Sequence, residues 1–283
     1  MARLYSVLIR QWQLLCLAVM FFTRLPVPKS TPYSEQRMNQ ANRYFSLVGL
    51  IVGGLVCAVF GWLTLYFSTT VSVVLAMILS VVVTGAFHED GLADMADGIG
   101  GGTSIERRLA IMKDSRLGSY GAVTLLLILL LKFTLLTGLA ELGLLIPSIL
   151  LSYALSRAVA ASLIFNTPYV SEEDCSKSKP LAAKQSLHEL VILIAIGCLP
   201  LFFFVAINDF VSFFLVLSLV LVSFRYFFRA WLVKGLAGFT GDCLGAAQQT
   251  SEVVIYLVIL FHLAPLNSVT NKINNVLFVG GTP

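Results

Sequence analysis

Long apolar runs constrain this chain more than any other feature of its sequence. Seven of them stand out, at residues 46–67, 71–87, 122–143, 147–165, 189–207, 210–228 and 252–265. A helix needs roughly 20 apolar residues to cross a bilayer, and helices satisfy their own backbone polar groups there. Only 12% of the residues are charged, whereas soluble domains have about 25%. We therefore predict an all-α, polytopic integral membrane helical bundle with about seven spans.

The first apolar segment, residues 8–23, is harder to place. It contains Arg10, Gln11 and Gln13, and it is short for a span. Three placements stay open for it: a span, an interfacial helix or a re-entrant helix. We predict one membrane-embedded catalytic domain over residues 1–265, followed by a polar tail over 266–283 with no readable function.

The distribution of lysine and arginine predicts the topology. The segments 24–45, 88–121, 166–188 and 225–250 hold 14 of the 19 Lys and Arg residues, and the turns 68–70, 144–146 and 208–209 hold none. Loops rich in Lys and Arg stay in the cytoplasm. The long loops are therefore expected on the cytoplasmic face.

An acidic motif follows the second of these apolar runs. It reads Phe87-His88-Glu89-Asp90-Gly91-Leu92-Ala93-Asp94-Met95-Ala96-Asp97-Gly98. Asp90, Asp94 and Asp97 are spaced i, i+4, i+7, which places them on one face of a helix. Three carboxylates in register repel one another unless a cation lies between them, and Mg²⁺ takes oxygen ligands of this kind. The motif predicts a Mg²⁺ site, with Glu89 as a fourth candidate ligand; the alternative is a solvated acidic turn.

Glycines and cations follow this motif. Gly98, Gly100 and their neighbours allow positive φ, so their amides could cradle an anion. Arg107, Lys113 and Arg116 supply cations that suit phosphate oxygens. The alternatives are a flexible connection for the glycines and a basic patch that faces anionic lipid for the cations.

Further candidates lie elsewhere in the chain. Asp242 lies in a Gly-rich segment, 232–250, predicted as a loop on the same face, although close helix packing also explains small residues there. Lys132 and Arg157 fall inside apolar runs, where ionisable groups pair, snorkel or line a cavity. Arg157 is the stronger functional candidate because it lies near the middle of its run.

These features together indicate a membrane-embedded, Mg²⁺-dependent site for a phosphorylated substrate. A metal that bridges a diphosphate neutralises the leaving group, and a spare carboxylate can accept a proton from an attacking hydroxyl. The chemistry predicted is phosphoryl-group transfer. ATP-driven work is not expected, because the sequence has no Gly-x-x-x-x-Gly-Lys-[Ser/Thr] loop.

At these residues the chain resembles the cobalamin (cobamide) synthases, or adenosylcobinamide-GDP ribazoletransferases. The motifs that carry the resemblance run in order along the chain to about residue 265. They are Phe22-Thr23-Arg24-Leu25-Pro26-Val27-Pro28, Arg43-Tyr44-Phe45, the acidic motif, Glu106-Arg107, Ile111-Met112-Lys113-Asp114-Ser115-Arg116-Leu117-Gly118, Ser156-Arg157 and Thr240-Gly241-Asp242-x-Leu244-Gly245-Ala246.

The resemblance implies a multi-pass enzyme of the cytoplasmic (inner) membrane with its active site facing the cytoplasm. Adenosylcobinamide-GDP and α-ribazole, or its 5′-phosphate, would give adenosylcobalamin, or its 5′-phosphate, and GMP. Mg²⁺ is the implied cofactor. The lipid bilayer is an expected partner, nucleic acid is not, and a homo-oligomer is left open.

The resemblance also implies roles for residues. Asp90, Asp94 and Asp97 would hold Mg²⁺, and Asp94 or Asp97 would be the base, with Lys113 beside them. The residues expected to bind substrate are Arg24, Gly98, Gly100, Arg107, Lys113, Arg116, Arg157 and Asp242. Three features depart from the family: Glu89 stands where an apolar residue is usual, Ser46 replaces a usual proline, and the lysines at 177–184 leave the lower-ligand preference open.

Two other classes compete with this interpretation. CDP-alcohol phosphotransferases also cluster Asp residues at a membrane face, but their pattern continues with Ala-Arg where Ile99-Gly100 follows here. A transporter could use Lys132, Arg157 and the carboxylates as a path. Transporters tend to show internal repeats, and here there is only a faint echo between 90–94 and 242–246.

Overall fold

A computed structural model describes residues 2–170, 183–206 and 209–263, and this part of the chain is helical apart from its connections. The α-helices are α1 (Ala2–Phe22), α2 (Glu35–Ala41), α3 (Phe45–Leu63), α4 (Thr69–Thr84), α5 (Phe87–Gly101), α6 (Ile105–Met112), α7 (Ser119–Glu141), α8 (Leu145–Ser162), α9 (Leu187–Cys198), α10 (Phe210–Leu236) and α11 (Gly241–Leu263). Short 3₁₀ turns follow α2, α8 and α9. The predicted all-α fold is confirmed. The acidic and basic residues predicted within 171–182, the turn residue Asn208 and the tail 266–283 lie outside the described residues.

Seven helical stretches among these residues are long and apolar enough to cross a membrane. They include the ambiguous first segment, which is helical from Ala2 to Phe22. The last two spans are longer than predicted: α10 runs to Leu236 and α11 already begins at Gly241. The prediction of a long loop over 232–250 is therefore wrong, and Asp242 lies in the first turn of α11.

The predicted span 71–87 is interrupted by a sharp corner. α4 ends at Thr84, and α5 leaves it at an angle of 85°. Gly85 and Ala86 make the corner with φ values of +67° and +59°. The left-handed conformation costs a residue such as alanine roughly 1–2 kcal/mol. Hydrogen bonds from the two amides to the last turn of α4 hold it in place.

Burial distinguishes the centre of the bundle from its rim. In the spanning window of α8, 83% of the residues are buried, compared with 17% in α10. α8 packs mainly against α3, α9 and α11, whereas α5 packs mainly against α11 and α7. α5, which carries the acidic motif, is therefore held by α7 and α11, whose N-terminal ends lie beside it.

Candidate active site

α5 carries the acidic motif and remains helical throughout it. Asp90, Asp94 and Asp97 thus share a face, as their spacing predicts. Asp94 interacts electrostatically with both of them and with Asp242 of α11, and Asp242 also interacts with Asp90. Asp90 is exposed, and Asp94 and Asp242 are half-buried. Four carboxylates from two helices therefore meet at one edge of the bundle.

A close contact between α5 and α11 makes this meeting possible. A Cβ atom added at Gly91 would lie 2.9 Å from the carbonyl oxygen and 3.0 Å from the Cα of Asp242. One turn further along α11, Gly245 faces the backbone of His88 at 3.2 Å from its Cβ position. Small residues let membrane helices approach this closely. Gly91 and Gly245 thus bring Asp242 to the face of α5 that carries Asp90 and Asp94.

Substituting Gly91 with alanine should separate these helices. The added methyl group overlaps the backbone of Asp242, and overpacking of this kind costs roughly 1–3 kcal/mol. We expect Gly91→Ala to lower turnover about tenfold or more, measured as GMP release in lipid. Gly54→Ala is the matched control, because a Cβ at Gly54 meets nothing within 4 Å. Equal activity in the two variants would contradict the packing role.

Asp97 differs from the other carboxylates because both of its oxygens are engaged. Oδ2 accepts the backbone N–H of Gly118 at 2.7 Å and Oδ1 accepts that of Gly121 at 2.9 Å. Gly118 is the N-cap of α7, so Asp97 supplies the capping side chain that glycine lacks. We assign it to the anchoring of α7 on α5, and the proposed base becomes Asp94.

Asp97→Asn tests this anchoring role. Asparagine keeps a carbonyl acceptor for one amide but faces the second with an NH₂ group, so roughly 1–2 kcal/mol of capping is lost. We expect faster hydrogen exchange in the first turn of α7, followed by mass spectrometry. Asp209→Asn, at an exposed helix N-cap, should leave exchange in that turn unchanged. Unaltered protection in Asp97→Asn would argue against the cap.

The glycines that follow the motif do not form the predicted loop. Residues 98–101 complete α5, and the glycines with positive φ in the described chain are Gly85 and Gly143. Gly98 packs on Met112 and Gly100 on the ring of Tyr120. The prediction of a loop with positive φ at these glycines is therefore wrong, since they lie in a helix and allow close packing instead. Their role in substrate binding stays a prediction.

The predicted phosphate-binding cations are exposed near the end of α5. Arg107 lies on α6, and Lys113 and Arg116 lie on its C-terminal side. Arg116 makes a bidentate ion pair with Asp114. Hydrogen bonds from the side chain and backbone of Arg116 hold the pKa of Asp114 at about 2. The pair therefore stays charged near neutral pH, and a phosphate would compete with Asp114 for this guanidinium.

Arg24 lies at the α4–α5 corner, next to the motif helix. Its exposed side chain lies against Gly85, and its backbone N–H donates to the carbonyl of Val83 at 2.7 Å. Arg108, a further cation of the basic stretch that the sequence predicts to suit phosphate oxygens or anionic lipid, links helix ends in the structure. It donates to the carbonyl oxygens of Gly102 and Gly235 at 3.0 and 2.8 Å.

Arg157 lies in the interior of the bundle, where its side chain is enclosed. It is 2% exposed, with its guanidinium 5.2 Å from the ring centroid of Tyr153 and 5.9 Å from that of Phe45. Nη1 donates to the carbonyl oxygen of Tyr153 at 2.9 Å. In this structure its own bundle encloses Arg157, and its part in substrate binding stays a prediction.

Glu89 is likewise enclosed. Its Oε1 accepts a hydrogen bond from Gln249 at 2.9 Å, and Gln249 in turn contacts Lys132 at 3.4 Å. The Lys132 ammonium lies 2.7 Å from Glu252. Glu89 therefore belongs to an interior polar cluster, and its part as a fourth metal ligand stays a prediction.

Sequence reasoning missed the α11 members of this cluster. Gln248, Gln249 and Glu252 are buried polar residues of α11, but the sequence interpretation treated them as the border of an apolar run. Lys132 was the available signal, since a lysine inside an apolar run needs a counter-ion. Glu252 is the acidic residue that lies in the last apolar run.

The candidate metal site is the carboxylate face, formed by Asp90, Asp94 and Asp97 of α5 and Asp242 of α11. Within residues 2–170, 183–206 and 209–263, no group of three or more His, Cys, Asp or Glu side chains is arranged to hold a metal ion by itself. Mg²⁺ usually takes one or two carboxylates and fills its other positions with waters and substrate phosphates. Asp90 and Asp242, which interact with each other from two helices, fit such partial ligation because they offer hard oxygens.

The sequence profile of the family described as cobalamin-5-phosphate synthase matches residues 14–260. The chain belongs to this family. An adenosylcobinamide-GDP ribazoletransferase from Vibrio cholerae is 55% identical over 91% of this chain and 97% of its own length. Proteins with the same description from Vibrio vulnificus and Shewanella pealeana are 55% and 50% identical over 88% and 89% of this chain, and 96% of their own lengths. No solved structure matches the chain.

Membership of the cobalamin-5-phosphate synthase family covers the entire candidate site. The four carboxylates of α5 and α11 and all the cations named above lie within the matched residues 14–260. The match also includes α1 from Leu14 onward and most of α11. The candidate site and most of the membrane bundle therefore lie within one family match.

Proposed function

We propose that this chain transfers the adenosylcobinamide-phosphate group of adenosylcobinamide-GDP to α-ribazole or α-ribazole 5′-phosphate. The products are adenosylcobalamin, or its 5′-phosphate, and GMP. The observation that carries the proposal is the 55% identity to a named adenosylcobinamide-GDP ribazoletransferase over 91% of the chain. The carboxylate face of α5 and α11 supports it, because it suits the chemistry of a diphosphate.

The reaction exchanges one phosphorus–oxygen bond for another. A ribose hydroxyl attacks the phosphorus next to cobinamide, and the bond from that phosphorus to the oxygen of GMP breaks. The hydroxyl proton must leave as the new bond forms. Asp94 is the proposed acceptor, because it is half-buried on the shared face and is not engaged as Asp97 is. Positioned carboxylates contribute roughly 10²–10⁴-fold in this role.

The exposed cations are proposed to bind the phosphates of the substrate. Arg107, Lys113 and Arg116 follow directly on the motif helix, and Arg24 lies at its beginning. Guanidinium groups bind phosphate oxygens in pairs. They would hold the diphosphate between the two ends of α5 and orient the leaving GMP.

Mg²⁺ is proposed as the cofactor, held by Asp90 and Asp242, with the proposed base Asp94 beside them. When bound, it would neutralise the diphosphate and the developing charge on the leaving group. The support is the chemistry of the donor set, namely hard carboxylate oxygens from two helices that share a face.

We also propose that this face looks into the cytoplasm from the cytoplasmic membrane. The support is that the predicted long loops hold 14 of the 19 Lys and Arg residues. Inverted vesicles should convert externally added adenosylcobinamide-GDP, whereas sealed right-side-out vesicles should not. The opposite result would reverse the orientation.

The deciding experiment uses the full chain in lipid with adenosylcobinamide-GDP and α-ribazole 5′-phosphate. GMP and the corrinoid product are followed with Mg²⁺ and with EDTA, and unphosphorylated α-ribazole is tested in parallel. We expect equal amounts of GMP and corrinoid product, and loss of turnover in EDTA. No turnover by folded protein would overturn the proposed reaction, whereas full turnover in EDTA would overturn only the cofactor.

A further inference from the structure

The interior polar cluster contains one charged residue from each of four helices. Glu89 comes from α5, Lys132 from α7, Arg157 from α8 and Glu252 from α11, and all four are less than one-tenth exposed. Their formal charges sum to zero. Isolated charges are costly away from water, so each depends on the others. Charged side chains of this cluster attach α5 to the core of the bundle.

Gln249 connects Glu89 to the remaining charges. Its amide nitrogen donates to Oε1 of Glu89 at 2.9 Å, and its amide oxygen faces the Lys132 ammonium at 3.4 Å. Lys132 continues to Glu252 at 2.7 Å. Glu89 also interacts electrostatically with both Lys132 and Arg157. The glutamate is therefore held by one hydrogen bond, from the Gln249 amide to Oε1, in the electrostatic field of two cations, and its Oε2 is buried without a hydrogen-bond partner.

The position of Glu89 on α5 gives this attachment a consequence. Successive helical residues differ by about 100° in direction, so Glu89 and Asp90 point to different sides of α5. In the structure Glu89 faces the cluster, while Asp90 and Asp94 interact with Asp242. A rotation of α5 by one residue would turn Asp90 to the direction that Glu89 now takes and would move Glu89 out of its contact with Gln249. Holding Glu89 therefore holds the carboxylate face.

We propose that Glu89 is a positioning residue, and that its contact with Gln249 fixes the rotation of α5. The interaction is one between a carboxylate and an amide, so the chain offers its own reciprocal exchange. Glu89→Gln leaves the cluster with a net charge of +1. Gln249→Glu leaves it with −1 and places two carboxylates against each other. Glu89→Gln/Gln249→Glu restores both neutrality and the pairing.

The four proteins of this cycle are compared by hydrogen exchange over residues 87–101, with α3 as the internal reference. We expect roughly tenfold faster hydrogen exchange in α5 for each single variant. The double variant Glu89→Gln/Gln249→Glu should show protection close to that of wild type. Glu141→Gln, an exposed acidic residue at the end of α7, should match wild type. Wild-type protection of α5 in Glu89→Gln would overturn the proposal. Hydrogen exchange in the double variant as fast as in the worse single variant would also overturn it.

The kinetic comparison rests on the proposed function. Glu89→Gln should lower kcat about tenfold and raise the Mg²⁺ concentration for half-maximal rate. In the double variant Glu89→Gln/Gln249→Glu, kcat should recover to within about threefold of wild type. Lowered thermal stability with unchanged kcat and Mg²⁺ response would mean a purely structural role and overturn positioning. If wild type fails to turn over, the proposed function fails, while hydrogen exchange still decides the role of Glu89.

Discussion

Asp94→Asn should lower turnover by roughly 10²–10⁴-fold, the contribution of a well-placed proton acceptor, while the bundle stays folded. Asp94 is half-buried on α5 and interacts with three other carboxylates, including Asp242 from α11. Asparagine has nearly the same shape but neither accepts a proton from a hydroxyl nor carries negative charge. The rate of GMP release at saturating Mg²⁺ measures the effect.

The response to Mg²⁺ separates the proposed base Asp94 from the proposed ligands Asp90 and Asp242. A tenfold higher Mg²⁺ concentration for half-maximal rate in Asp90→Asn and Asp242→Asn, with smaller effects on kcat, would separate ligands from the base. Asp209→Asn is the matched control, because Asp209 is exposed at the N-cap of α10. Wild-type turnover in Asp94→Asn would remove Asp94 from the catalytic site.

The sequence predicted the bundle well because apolar runs have few alternatives in a membrane. One of its errors is the predicted span 71–87, which breaks at the α4–α5 corner, and the others lie in glycine-rich segments. The glycines of α5 and the first turns of α11 suggested loops, since glycine favours turns in water. In this bundle the same residues let helices touch, as Gly91 does against Asp242. Composition alone does not distinguish these two uses of glycine.

The candidate site was only partly predictable for a different reason. Spacing correctly placed Asp90, Asp94 and Asp97 on one face, because the i, i+4, i+7 pattern follows from helix geometry. It did not indicate which way the neighbouring Glu89 points, because that depends on how α5 is rotated against α7 and α11. Similarly, Arg157 looked functional, but Tyr153 and Phe45 cover it.

The second large effect is expected in the interior cluster, from the loss of Lys132. Its ammonium lies 2.7 Å from Glu252, whose carboxylate also accepts hydrogen bonds from Gln248 and Tyr256. Lys132→Met would leave two carboxylates with Arg157 as the remaining cation. Leaving a buried charge unpaired costs roughly 3–5 kcal/mol. We expect an apparent melting temperature lower by about 10 °C in detergent.

Removing both charges should cost much less than removing either one. Lys132→Met/Glu252→Gln keeps the cluster neutral, and the amide introduced in place of the Glu252 carboxylate can still accept one of the two hydrogen bonds there. We therefore expect the double variant to melt above both Lys132→Met and Glu252→Gln, with a coupling free energy of about 2 kcal/mol or more. Additive losses in this cycle would show that the two side chains are independently tolerated. The ion pair would then not be what stabilises this part of the bundle.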